Sequence, residues 1–158
     1  MADIYRMPGH LIRRLHQIST SVFLDGVRAA GHDITAVQFA ALTMAARHPG
    51  IDQARLAGLI AYDRATIGGV LDRLEARGFV AREVSPTDRR ARVVKITRAG
   101  RAVLEEVTPA VAALQDEILP GLTAEERETF IRLAEKASAA GNRRSRAPLL
   151  PADPLPSD

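Results

Sequence analysis

The stretch DRATIGGVLDRLEARGFVAREVSPTDRRARVVKITRAG, Asp63 to Gly100, changes its apolar period halfway along. In its first half Ile67, Val70, Leu71 and Leu74 recur at three- and four-residue spacing, one face of a helix that Asp63 is placed to cap and Gly78 to end. In its second half Phe79-Val80 to Val84 and Arg92 to Ile96 are short runs of β-formers split by SPTDRRA, which reads as a hairpin. Just upstream, Asp52 is placed to cap a short helix through Leu59 or Ile60, with Ala54, Leu56, Ala57 and Ile60 as its apolar positions. Two helices joined by a few residues, followed by a basic hairpin, outline a winged helix-turn-helix.

The flanks are helical as well. Ile12, Leu15, Ile18, Val22 and Phe23 mark one stripe of a long first helix that should end near Gly31. Thr35 and Gln38 have capping-box spacing, and the helix they start should stop before Pro49-Gly50. Thr97 caps a long helix in which Pro109 predicts a bend and Pro120-Gly121 the end. A last helix begins at Thr123 with the box TAEE and presents Phe130, Ile131, Leu133 and Ala134. From Gly141 the proline-rich run NRRSRAPLLPADPLPSD has no periodicity and reads as an extended or disordered tail. The expected fold is mainly α with a small β-hairpin.

Charge is segregated along the chain. Arg47 to Arg101 holds 12 Arg or Lys against 6 Asp or Glu, whereas Ala102 to Ala140 holds 3 against 8. A basic middle suits a polyanion, and the acidic segment suits a different task. A chain of 158 residues, 46% hydrophobic, is long enough for one sizeable core. No apolar run approaches the roughly 18 residues that span a bilayer, and MADIYRMPGHLIRR lacks a signal-peptide core, so a soluble, cytoplasmic protein without a membrane partner is expected. The absence of cysteine excludes disulfides, thiolate metal sites and a thiol peroxide sensor. His10, His16, His32 and His48 have no compact metal-ligand spacing, and no GxSxG, P-loop or HExxH occurs, so neither a metal, a cofactor nor an enzyme is expected.

Asp63 to Gly100 resembles the core of the MarR family of bacterial transcription regulators: a recognition helix ending in DRLEARGFV, a wing carrying DRR, and a strand ending in T-x-x-G. The helix order over roughly Leu11 to Ala140 fits too. The resemblance implies a homodimer with interlocked first and last helices, each subunit offering a winged helix to half of a pseudo-palindromic double-stranded operator. The implied division is residues 1–34, an N-terminal dimerisation helix; 35–97, the DNA-binding region; 98–140, the C-terminal dimerisation helices; and 141–158, the tail. Independently, with only 4% aromatic content, the apolar terminal helices would struggle to bury both faces alone.

At 100° per residue the face opposite Ile67 carries Ala65, Gly69, Asp72 and Ala76, with Gly68 and Arg73 at its borders. Base contacts come mostly from the first turns of a recognition helix, which nominates Arg64, Ala65, Thr66, Gly68 and Gly69. Arg64 suits bidentate reading of guanine, Thr66 suits a base or a phosphate, and Arg73 a phosphate. Gly68-Gly69 departs from the family's usual polar or basic residues; the pair either permits close approach to base edges or is merely tolerated. In the wing, the resemblance implies that Arg90 enters the minor groove while Asp88 makes a salt bridge that shapes the tip. Arg89, Arg92 and Lys95 would lie at or near phosphates.

Many family members release DNA when a small aromatic carboxylate binds between dimerisation helices and winged helix. Here His10 and Arg14 are four apart on one helix face and suit a carboxylate and a phenol, with Phe23, Phe39, Met44 and Tyr62 as candidate apolar walls. The competing reading has His10 and Arg14 in interhelical salt bridges with the acidic last helices. The function expected is a repressor released by a small aromatic acid or its coenzyme A thioester. The alternatives are a constitutive architectural DNA-binding protein without an effector and a module whose basic face binds acidic protein.

Overall fold

A computed structural model describes residues 3–151. The element order is α1 (Pro8–Ala29), α2 (Ala36–Arg47), β1 (Ile51–Asp52), α3 (Gln53–Leu59), α4 (Ile67–Ala76), β2 (Val80–Val84), β3 (Arg92–Ile96), α5 (Arg98–Ile118) and α6 (Ala124–Gly141), with single 3-10 turns at Ile4–Arg6 and Asn142–Arg144. None of the described helices is long and apolar enough to cross a membrane.

The helix starts follow from side-chain caps. Thr35 with Gln38 and Thr123 with Glu126 form complete capping boxes, and Asp52 and Thr97 accept backbone N–H groups of Arg55 and Gly100. Each cap satisfies a donor that would otherwise lack an intrahelical partner. α4 ends in a Schellman motif at Gly78, φ +71°, where Phe79 N–H donates to Leu74 O (2.9 Å) and Gly78 N–H to Glu75 O (2.8 Å). The chain stays helical through Pro109.

The sheet has three antiparallel strands in the order β1-β3-β2. β2 and β3 are the expected hairpin, paired from Val80↔Ile96 to Val84↔Arg92. β1 was not expected: Ile51 and Asp52 pair with Val94 and Val93 across some forty residues of chain, and two residues are too short to show a period. Asp52 therefore sits in the sheet and caps α3 at once.

One core joins the winged helix to the long helices. It contains Phe23 and Val27 of α1, Ala41, Leu42 and Ala45 of α2, Leu56 of α3, Ile67, Leu71 and Leu74 of α4, Val94 of β3 and Val107 of α5. Two glycines mark close approaches. A Cβ on Gly26 would overlap Leu114 where α1 crosses α5, and one on Gly100 would overlap the Phe79 carbonyl. The second explains the T-x-x-G spacing: Thr97 N–H donates to Phe79 O (3.0 Å), its hydroxyl donates to Gly78 O (2.6 Å), and Gly100 must then pass against that same carbonyl.

Beyond this core the helices lie bare. No residue of α6 is buried, and Phe130, Ile131 and Leu133 are exposed. The start of the chain matches it, with Ile4, Tyr5, Met7, Leu11 and Ile12 all exposed, Ile12 to 66%. The first part of the expected tail, 142–151, runs back from α6 to α3, where Leu150 N–H donates to Gly58 O (2.9 Å); 152–158 lie outside the described residues.

Candidate nucleic-acid interface

α3 ends in a second Schellman motif, in which Tyr62 N–H donates to Ala57 O (2.9 Å) and Ala61 N–H to Gly58 O (3.3 Å). Its left-handed residue is Ala61, φ +51°, where glycine would be unstrained. The motif turns the chain sharply toward α4.

The start of α4 corrects the expectation from Asp63. The helix begins at Ile67, and Arg64, Ala65 and Thr66 form a turn before it. Asp63 Oδ1 accepts the N–H of Ala65 at 2.7 Å, two residues on, while its carbonyl accepts Thr66 (3.1 Å) and Ile67 (3.0 Å). An aspartate bonded to its own following backbone favours a turn over a helix, so the first helical position is also the first buried one. Arg64, Ala65 and Thr66 are all exposed on that turn.

Along α4, Gly69 and Arg73 are exposed and Gly68 is half-buried. A Cβ on Gly69 would meet nothing within 4 Å, and one on Gly68 only Gln53 Nε2 at 3.8 Å. The packing of the protomer requires neither glycine.

An arginine that the sequence reading passed over binds α4 to the wing. Arg82 of β2, with its side chain only 18% exposed, places Nη2 2.6 Å from Glu75 Oε2 and 2.5 Å from Asp72 Oδ1. Its backbone N–H and Nε also donate to Glu75 (3.0 and 3.1 Å). These hydrogen bonds hold the Glu75 carboxyl below the usual carboxylate range and raise the Arg82 guanidinium. The available signal was the acidic pair Asp72 and Glu75, three apart on one helix face and in need of a shared cation. At the end of the helix Arg77 donates to Asp33 O and lies 4.6 Å over the Phe79 ring.

The wing tip is shaped differently from expectation. Asp88 makes no ion pair among the described residues; its carboxylate accepts the Arg90 N–H at 2.9 Å, and its carbonyl accepts the Ala91 N–H at 3.0 Å. In so tight a turn a backbone donor two residues on is nearer than any guanidinium, and Ser85 Oγ braces the same turn by accepting the N–H groups of Thr87 and Asp88. The Arg89 and Arg90 side chains are left exposed. Lys95 Nζ pairs across the hairpin with Glu83 at 2.7 Å, whereas Arg92 is exposed at the strand start. A cleft of about 200 Å³ between α3, the recognition turn and the wing brings Arg64, Arg90 and Arg92 to one surface.

Among the candidate ligand residues, Phe23 and Phe39 pack as a tilted ring pair 6.2 Å apart, and Met44 and Tyr62 are partly buried against the core. His10 lies edge-on to Tyr5, ring centroids 5.6 Å apart, and its buried Nε2 has no hydrogen-bond partner among the described residues. Arg14 is exposed, and neither His10 nor Arg14 makes an ion pair among the described residues.

Comparison with known proteins accords with this geometry. The profile of the MarR family matches residues 34–91. Over 134 residues the chain is 33% identical to the HTH-type transcriptional repressor NicR of Pseudomonas putida, covering 85% of this chain and 84% of NicR. The structure of Bordetella bronchiseptica BpsR, solved to explain regulation of its DNA binding by 6-hydroxynicotinic acid, superposes with a TM-score of 0.80 at 30% identity, covering 87% of this chain and 97% of BpsR. PcaV of Streptomyces coelicolor, solved with its natural ligand, superposes with a TM-score of 0.79 at 28% identity, covering 89% and 98% of the two chains. With its helix-turn-helix, its basic wing and a relative of this similarity along most of its length, the chain belongs to the MarR family of DNA-binding transcription regulators.

Proposed function

We propose that the chain is a homodimeric repressor that binds a pseudo-palindromic operator and is released by a small aromatic acid or its coenzyme A thioester. The observation that carries the DNA-binding surface is the convergence of Arg64, Arg90 and Arg92 beside an exposed recognition turn. Arg64 and the first turn of α4 meet base edges in the major groove, and Arg90 enters the flanking minor groove, whose negative potential favours a guanidinium. Arg73, Arg89 and Arg92 hold phosphates. Lys95 contributes less, because Glu83 already neutralises it.

The bare apolar faces of α6 and of the chain's start support the dimer, since patches of this kind mark interaction sites. The orphaned His10 nitrogen supports the effector. A buried nitrogen without a partner is costly, and a ligand carboxylate or hydroxyl beside Arg14 would satisfy it once the second subunit closes the cleft. The 6-hydroxynicotinic acid of BpsR has that carboxylate-plus-hydroxyl chemistry.

Titration of duplex DNA from upstream of its own gene tests the surface. Arg90→Ala is expected to weaken binding by about 1–3 kcal/mol, the range for a good groove contact; unchanged affinity would remove the wing from recognition. A thermal-shift screen of aromatic acids and their coenzyme A thioesters tests the effector, with Arg14→Ala expected to blunt the response while sparing DNA affinity. Operator binding indifferent to every acid would leave a constitutive DNA-binding protein.

A further inference from the structure

We infer that the C-terminal segment is an additional DNA contact, in which Arg146 binds a backbone phosphate of the operator beside the recognition turn. The inference rests on the DNA-binding reading above and extends the interface beyond the winged helix itself.

The segment is built into the fold. Asn142 Nδ2 donates to Leu149 O (2.9 Å), and Leu149 N–H returns to Asn142 Oδ1 (2.8 Å), closing a loop of the tail. Leu150 N–H then donates to Gly58 O at 2.9 Å, and its side chain fills the space a Cβ on Gly58 would need. The second bond docks the closed loop on α3. Arg146 lies within that loop, between Asn142 and Leu149, sharing a cleft of about 480 Å³ with Tyr62, Asp63, Arg64 and Ala65.

Arg146 Nη2 lies 3.7 Å from Asp63 Oδ2, and the arginine side chain is 93% exposed. An ion pair so open to water contributes little to stability. Its electrostatic effect on a polyanion is larger. Asp63 shapes the recognition turn through Oδ1, and its negative charge beside Arg64 opposes phosphate approach. Arg146 offsets that charge while keeping most of its guanidinium donors free, and the planar fork suits phosphate oxygens. A phosphate contact of this kind adds affinity without sequence preference.

Operator affinity is measured as a function of salt for wild type, Arg146→Ala, Asp63→Asn and the double variant, with Arg90→Ala as reference. Each phosphate contact contributes about 0.9 to the slope of log K against log salt. Arg146→Ala is expected to flatten the slope by about that much per subunit, in both the wild-type and Asp63→Asn backgrounds, and to weaken operator and random duplex by the same factor. An unchanged slope overturns the inference. So does a loss that vanishes with Asp63→Asn, which would reduce Arg146 to a screen for the carboxylate. If Arg90→Ala weakens binding while Arg146→Ala does not, this contact alone fails; absence of duplex binding by wild type overturns the DNA-binding reading with it.

Discussion

The ten residues of α4 bury Ile67, Val70, Leu71 and Leu74, whereas the eighteen residues of α6 bury none. Both helices alternate apolar and charged positions, so their patterns alone would place both on a core. The difference lies in what faces them. α4 packs on α2, α3 and β2 of its own chain, while the apolar side of α6 faces the returning tail and Ala61 across a groove of about 970 Å³. An amphipathic helix states that it has a partner; whether that partner belongs to the same molecule is a property of the whole fold.

That contrast can be broken most sharply by matched truncations. Leu74→Ala, in a fully buried site, is expected to lower unfolding stability by about 2–5 kcal/mol in denaturant titration. Leu133→Ala, with Leu133 51% exposed in the protomer, is expected to leave protomer secondary structure intact and to weaken dimerisation by about 1–3 kcal/mol in sedimentation equilibrium. Equal effects on folding would place α6 in an intramolecular core. Gly69→Ala probes the outward side of α4. Because no described residue fills that space, the alanine is expected to add about 1 kcal/mol of stability through helix propensity while weakening operator binding. Unchanged DNA affinity would make the glycine a tolerated residue only.

The smallest expected effect concerns pH. The folded Glu75 carboxyl titrates below its unfolded value, so its pairing with Arg82 stabilises the protein fully above the ordinary carboxylate range, and that contribution is lost as pH falls through the folded value. Melting curves of wild type and Glu75→Gln should therefore differ at neutral pH and converge only in acid below the ordinary carboxylate range. Curves that stay parallel into acid would separate the clamp from Glu75 ionisation.

What was legible in the sequence was local. Thr35 with Gln38, Thr97, and Thr123 with Glu126 act within one helical turn, and all behave as their spacing predicts. The wing arginines were readable because charge next to a Ser-Pro turn needs no tertiary context. Features joining distant segments were not readable: β1 meets β3 some forty residues on, and Arg82 reaches back to Asp72 across the end of α4. Asp63 misled because an aspartate before a helical pattern caps a turn as well as it caps a helix. His10 and Arg14 were placed on one face by spacing, but the proposed cleft between subunits would leave no imprint in the periodicity of one chain.

Asp52 has a wider consequence. One residue pairs with the wing strand and starts the first helix of the helix-turn-helix, while Arg82 locks the other edge of the sheet to α4. The sheet is thereby tied to α3 at one edge and to α4 at the other. In the proposed dimer, a signal from the long helices would then act on the separation and tilt of two braced reading heads, and release from DNA would be a loss of register between half-sites rather than a folding of the wing.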